Sequence, residues 1–232
     1  MGIMRRPAPI LSVGMMGIYQ DSLASFRSGE TGRAEELALE LLGRAREDGD
    51  VGAQVDALCM LARVALRRGE LEHVSALAGE ARALARRAGE RRLERMPIHM
   101  QAVAVRMRGA YSEARDLYEE SIELNIRLGE ERMVAVEHRN LAYVELHDRR
   151  LDRARELFAT AVVEARALGN DALRPYLLLD AAVLAFEDGD RGRSVELVEA
   201  AHAEVAASGQ ILDPDDAAEE EWLRSLLFVI GA

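Results

Sequence analysis

The sequence contains no lysine: all 30 of its basic residues are arginine. Without lysine there is no P-loop ammonium for nucleotide phosphates and no side-chain amine for a Schiff base. A single cysteine, Cys59, excludes an intrachain disulfide, a paired-cysteine zinc site and a CxxC redox pair. It suits a reducing compartment, and a cytoplasmic location is expected. Aromatic residues make up only 4% of the chain, and β-branched strand formers are sparse beside Ala, Leu, Glu and Arg, so a sheet protein is not expected. No run of 18 apolar residues exists, which excludes a membrane-spanning helix. The apolar stretch 10–18 follows Arg5 and Arg6 but has no prompt small-residue cleavage site, and it reads as the start of the helical array rather than as a leader.

Positive charge is also in deficit, with 41 acidic residues against 30 basic ones and a net charge of -11. A general nucleic-acid binder needs the opposite balance to release counterions from phosphate. The five histidines, His73, His99, His138, His147 and His202, form neither an HExxH motif nor an i, i+4 pair. No metal, cofactor, nucleic acid or membrane partner is expected. What remains is a chain 49% hydrophobic and 31% charged, the balance of a protein that buries a sizeable core.

Its dominant feature is a 40-residue period. Gly49, Gly89, Gly129, Gly169 and Gly209 keep it, and so do Gly29, Gly69, Gly109 and Gly189, with Arg149 in the one gap. Leu37, Leu77, Leu117, Leu157 and Leu197 form a third column. Small residues form two more: Ser22, Ala62, Ala102, Ala142 and Ala182, and then Ala34, Val74, Ala114, Ala154 and Ser194. Between glycines the apolar residues step by three and four, as in Leu71, Val74, Leu77, Ala78, Ala81 and Leu84. A glycine every 20 residues can close a helix in the left-handed conformation. The spacing predicts helix pairs at 13–28 and 31–48, 52–68 and 71–88, 93–108 and 111–128, 132–148 and 151–168, and 172–188 and 191–208. Pro97 and Pro175 fall near helix starts, where proline is tolerated.

This pattern resembles the tetratricopeptide repeat (TPR), best in Leu141, Ala142, Arg149, Ala154, Phe158 and Ala161. The terminal proline of that family is missing, and each unit is about six residues longer than the common 34. The long form is similar to repeats of bacterial regulatory sensors, including peptide-pheromone-responsive regulators. The resemblance implies an all-α, right-handed α-solenoid of five helix-turn-helix repeats over residues 13–209, after an N-terminal tail at 1–12. A C-terminal capping helix is expected at 213–231, since Asp213-Pro214-Asp215-Asp216 has the cap, proline and acidic first turn of a helix start. Its many apolar residues, Trp222 among them, suit either a cap over the last repeat or a homodimer contact. Glu219, Glu220 and Glu221 read as a solvated helix start rather than a metal site.

The same resemblance implies that the first helices line a groove. Carried onto this chain, the groove positions include Tyr19 and Phe26, then Met60, Arg63 and Arg67, then His99, Met100, Arg106 and Met107, then Arg139, Asn140 and Tyr143, and then Asp180. His147 and Cys59 fall on the same positions. The set is more basic than the chain as a whole and rich in Met and aromatics, chemistry that suits an acidic amphipathic peptide or helix, or a small anion. The expected function is a protein- or peptide-binding scaffold or regulator. Two alternatives stay open: a sensor of a small anionic or peptide signal, and an enzyme drawing on His99, Tyr143 and Asp180.

Overall fold

A computed structural model describes residues 13–169 and 173–228. The expected tail at 1–12 and the last residues of the expected final helix, 229–231, lie outside the described residues. Within them the chain is helical, with no strand. The helices are α1 (Val13–Arg27), α2 (Thr31–Asp48), α3 (Val51–Arg67), α4 (Leu71–Ala88), α5 (Arg95–Met107), α6 (Tyr111–Leu128), α7 (Glu131–His147), α8 (Leu151–Ala167), α9 (Arg174–Glu187), α10 (Arg191–Ser208) and α11 (Pro214–Phe228). The first ten start and end within two residues of the spans that the 40-residue period predicts. Helix α5 starts two residues late because its expected first turn is a 3₁₀ turn, Arg91–Glu94. The carboxylate of Glu94, almost fully buried, anchors that turn by accepting from Arg86 at 2.9 Å and Arg91 at 3.1 Å.

The glycine columns act as the period implies. Gly29, Gly49, Gly69, Gly89, Gly109, Gly129, Gly169, Gly189 and Gly209 all have positive φ, between 57° and 87°. At Gly49 the following amide, Asp50 N–H, reaches back to the Ala45 carbonyl at 2.9 Å, the bond that closes a helix after a left-handed residue. Arg149 fills the gap in the column by adopting the same conformation, φ 62°, and Arg150 N–H bonds the Glu145 carbonyl at 2.8 Å. It is the one non-glycine residue with positive φ among the described residues.

The small-residue columns mark where the two helices of a pair touch. Where a column holds serine, its hydroxyl crosses to the partner helix. Ser22 of α1 donates to the Ala34 carbonyl of α2 at 2.7 Å, and Ser194 of α10 donates to the Ala182 carbonyl of α9 at 2.8 Å. All four residues are fully buried. A larger side chain here would push the backbones apart.

The chain divides into two compact units, residues 1–108 and 109–232. The core of the first joins Phe26, Leu41, Leu58 and Met60, each buried to 2% exposure or less. The core of the second is built on Tyr118, Tyr143, Phe158, Leu146 and Leu179, with the Tyr143 and Phe158 rings edge to face at 5.1 Å. Each such aliphatic side chain contributes about 1.5–3 kcal/mol when fully buried. α11 lies in the second unit, against α9 and α10, and reaches α7 through its carboxylates.

Candidate functional site

In the first unit, the helical stagger of α1 and α3 brings several of the expected groove residues together. Phe26 is fully buried, and the Arg63 and Arg67 guanidinium carbons stand 4.9 and 3.7 Å from its ring centroid. Arg67 also donates to the Phe26 carbonyl. Tyr19, two turns before Phe26 on α1, shares an electrostatic neighbourhood with Asp56, Arg63 and Cys59, and its hydroxyl pKa is raised by burial and by Asp56. Burial, reinforced by Asp50, pushes the Asp56 carboxyl up to about 6 against the pull of Arg95. Met60 and Met100 are buried, as is the Arg106 guanidinium-bearing chain, while His99 and Met107 are half-buried on α5. Cys59 is buried too, and burial pushes its thiol far up, which removes the thiolate that nucleophilic chemistry needs.

In the second unit, Arg139, Tyr143 and Asp180 form one cluster. Arg139 Nε donates to both carboxylate oxygens of Asp180 at 2.9 Å, and the Tyr143 hydroxyl donates to the same carboxylate at 2.9 Å. The Tyr143 and Tyr176 rings lie 5.1 and 5.3 Å from the guanidinium carbon. All three clustered residues are at most 3% exposed. Asn140, also buried on α7, takes no part in the cluster.

The cover over this cluster is α11. Arg139 Nη1 donates to Asp216 of α11, 77 residues away in sequence. Two turns further along α7, His147 Nε2 lies 2.6 Å from the Glu219 carboxylate, and the Trp222 ring meets the His147 ring edge-on at 4.8 Å. Tyr111 stacks on the same imidazole at 5.9 Å. Asp216, Glu219 and Trp222 are three residues apart, so they fall on one side of the helix. On neighbouring positions, Glu220 lies 2.6 Å from His202 of α10, and Arg191 of α10 donates to the Leu226 carbonyl at 2.8 Å, capping the helix end.

Glu219, expected in a solvated helix start, is therefore buried at 7% exposure, because His147 draws it onto α7; Glu221 stays exposed. No group of three or more His, Cys, Asp or Glu residues that could hold a metal occurs among the described residues.

The electrostatics of the cluster are asymmetric, with one guanidinium holding two carboxylates. Burial alone would lower the Arg139 pKa, but Asp180 and Asp216 together keep it well above its ordinary value. Asp180 is raised by burial, a shift that Arg139 and Tyr143 only partly offset. Asp216 is pushed up to about 7, by burial first and then by Asp215 and Asp213, against the pull of Arg139. The second carboxylate is thus incompletely compensated.

Sequence reading missed Asp216 and Trp222 as site residues. Helix α11 lies outside the repeat, so no period says which wall it meets. It also missed a column that does follow the period. Glu35 accepts from Arg68 at 2.8 Å, Arg108 donates to Ser75 at 3.0 Å, Arg115 donates to Asp148 at 2.7 Å, and Arg155 donates to Asp188 at 2.6 Å. Each pair joins a second helix to the following first helix, and each partner is 40 residues from its counterpart in the next repeat. The sign reverses along the column, from acid on the second helix in the first unit to arginine there in the second.

Architecture and repeat geometry define the class: this is a tetratricopeptide-like helical repeat protein, an α-solenoid of helix pairs packed in series. Solved structures carry the comparison further. The chain is similar to a Rap protein complexed with Competence and Sporulation Factor, with TM-score 0.71 and 14% identity over 96% of this chain. It spans 60% of that protein's length. It is also similar to the apo form of RapI, with TM-score 0.63 and 13% identity over 94% of this chain and 79% of that one. BtubC from P. vanneervenii shares the fold with TM-score 0.57 and 22% identity over 88% of this chain and 83% of that one. No protein-family model matches the sequence, and no curated protein matches it.

Proposed function

We propose that this protein is a regulatory scaffold that binds protein or peptide segments along the inner walls formed by its first helices, and that acidic amphipathic helices are the segments it takes. The observation that carries this reading is α11. An acidic helix with an aromatic anchor lies on the wall of α7 and α9, with its carboxylates on Arg139 and His147 and its indole against His147. This is the helix-in-groove mode, in which residues on one helix face supply the anchors. A Rap protein of the same fold was solved complexed with Competence and Sporulation Factor, which supports a second molecule as ligand. The first unit offers a related wall of Tyr19, Arg63 and Arg67 for such a segment. Catalysis fits the cluster less well. Arg139, Tyr143 and Asp180 are buried against one another and against α11 in a holding arrangement.

A photo-crosslinking amino acid placed at Arg63 on the first-helix wall, and separately at the exposed Ile126 on α6, tests the reading. Partners should attach at position 63 and not at 126. Capture at 126 with none at 63 would assign recognition to the second helices and remove the proposal.

A further inference from the structure

Of the titratable clusters, cavities and exposed patches in the molecule, the seat of α11 is the one built like a receptor site. The contacts within its socket join α7 to α9. Asp180 grips Arg139 through Nε, Tyr143 holds Asp180, and the Arg139 Nη1 donor is left pointing at whatever carboxylate arrives from α11. His147, steadied by Tyr111, offers a second anchor for a carboxylate and an edge for an aromatic ring. The occupant is held chiefly by polar groups. Asp215, Asp216 and Glu219 are among the most buried residues of α11, and Leu223 is its one buried apolar side chain among the described residues. Buried carboxylates pay a desolvation cost that nearly cancels their attraction to a partner. They fix where the helix sits more than they fix it there. A segment attached mainly by such contacts, through a connection as short as residues 210–213, is poised to exchange.

We infer that α11 is a resident occupant of a binding site for acidic helices, and that the external ligand of this wall is a helical segment with carboxylates at positions i and i+3 and an aromatic ring at i+6, which competes with α11 for Arg139 and His147. The inference rests on the reading of the inner walls as partner sites, and it adds both the chemistry of the partner and its regulation. The chain's own helix keeps the site closed until a matching segment exceeds the effective concentration of the tethered one, which for a short linker is about millimolar.

Trp222 is the chain's single tryptophan, so its emission reports the position of α11 directly. The probe is a synthetic peptide of residues 213–228 carrying Trp222→Phe, which is silent in tryptophan fluorescence. It is titrated into the full chain and into the full chain bearing Glu219→Gln, which removes the carboxylate beside His147. The expected result is a red shift of Trp222 emission in the wild-type chain at about millimolar peptide. In the substituted chain the shift should come at roughly ten-fold lower peptide, because the tethered competitor has lost its anchor on His147 while the probe keeps it. A probe carrying the same amide should lose the effect. If Trp222 emission in the wild-type chain stays fixed at several times that concentration, or the two chains respond at equal peptide, the inference is overturned. Should the substituted chain fail to fold, the wild-type titration with the acidic and amide probes decides alone. Failure here leaves crosslinking at position 63 unaffected, whereas failure there removes the reading beneath both.

Discussion

Arg149 occupies a left-handed position that glycine fills in the other repeats, and its side chain receives little in return. It is 71% exposed, and its nearest acidic partner, Glu187, is 3.8 Å away. A Cβ in that conformation costs about 1–2 kcal/mol, and the added freedom of glycine in the unfolded chain offsets part of this. Arg149→Gly should therefore stabilise the protein by about 0.5–1 kcal/mol and raise the melting temperature by about 1–4 °C. Arg149→Ala keeps the strain and should show no gain. Thermal melts of the three chains check this, and a glycine variant that melts below the alanine one would refute it.

Asp56 is a second residue with a cost attached. Its folded pKa of about 6 exceeds the ordinary carboxylate value of 3.8, so the folded state holds its proton more tightly than the unfolded state does. Stability is undiminished below pH 3.8 and falls as pH rises from there through about 6. Asp56→Asn removes the charge but keeps the shape. It should stabilise the protein by about 2 kcal/mol at pH 7.5 and by under about 0.5 kcal/mol at pH 3.5. Urea unfolding at both pH values measures the difference, and an equal effect at each would show that the carboxyl titrates as if in water.

At the scale of helices, the periodic columns make a sharp distinction between size and polarity. Ser194 donates to Ala182 across a contact where the three middle repeats place alanine against alanine or valine. Ser194→Ala should cost no more than about 1 kcal/mol, the worth of one neutral hydrogen bond. Ala142→Leu, at a fully buried position of the same kind of contact, should cost more than about 2 kcal/mol, since a branched side chain there has no space. Denaturant midpoints of the two variants give the comparison, and the reverse order would mean that these columns do not set the helix spacing. Such columns are why the helices are legible in the amino-acid sequence: a glycine turn and a small contact residue, repeated at a fixed interval, encode local geometry locally. The charge column of Glu35, Ser75, Arg115 and Arg155 is equally periodic but changes its residue type along the way, which hides it from a search for identity. The seat of α11 is legible only in part: a cap over the last repeat can be read, but its contacts with α7 cannot. Arg139 can be placed on an inner wall by its position in the repeat, but its partner Asp216 belongs to an element outside the period. That Arg139 takes a carboxylate suits its chemistry, but that the carboxylate comes from the same chain cannot be read from the repeat.

For the molecule as a whole, a solenoid's stability is close to a sum of neighbour-to-neighbour terms, so a terminal element attached to few neighbours should separate before the array unfolds. Helix α11 is such an element, and the protonation of its contact determines when it leaves. Asp216 meets Arg139, which also holds Asp180, with Tyr143 and Tyr176 nearby, Asp215 beside it on α11 and Asp213 just before that helix, while Glu219 of α11 acts on Tyr143 and Asp180. Its carboxyl is raised to about 7 when docked, against 3.8 for the ordinary group, so the docked state binds the proton more tightly. Docking is therefore strongest below pH 3.8 as far as this group is concerned, and it weakens as pH rises from there through about 7. In urea at pH 8.5 the Trp222 emission should move to the red at a lower denaturant concentration than the loss of helical circular dichroism, and at pH 5.5 the two transitions should draw together. Asp216→Asn should remove most of that pH dependence while leaving the circular dichroism midpoint nearly unchanged, because the helix pairs keep their own neighbours. Coincident transitions at both pH values would mean that α11 is an integral part of the array's core rather than a segment seated on its wall.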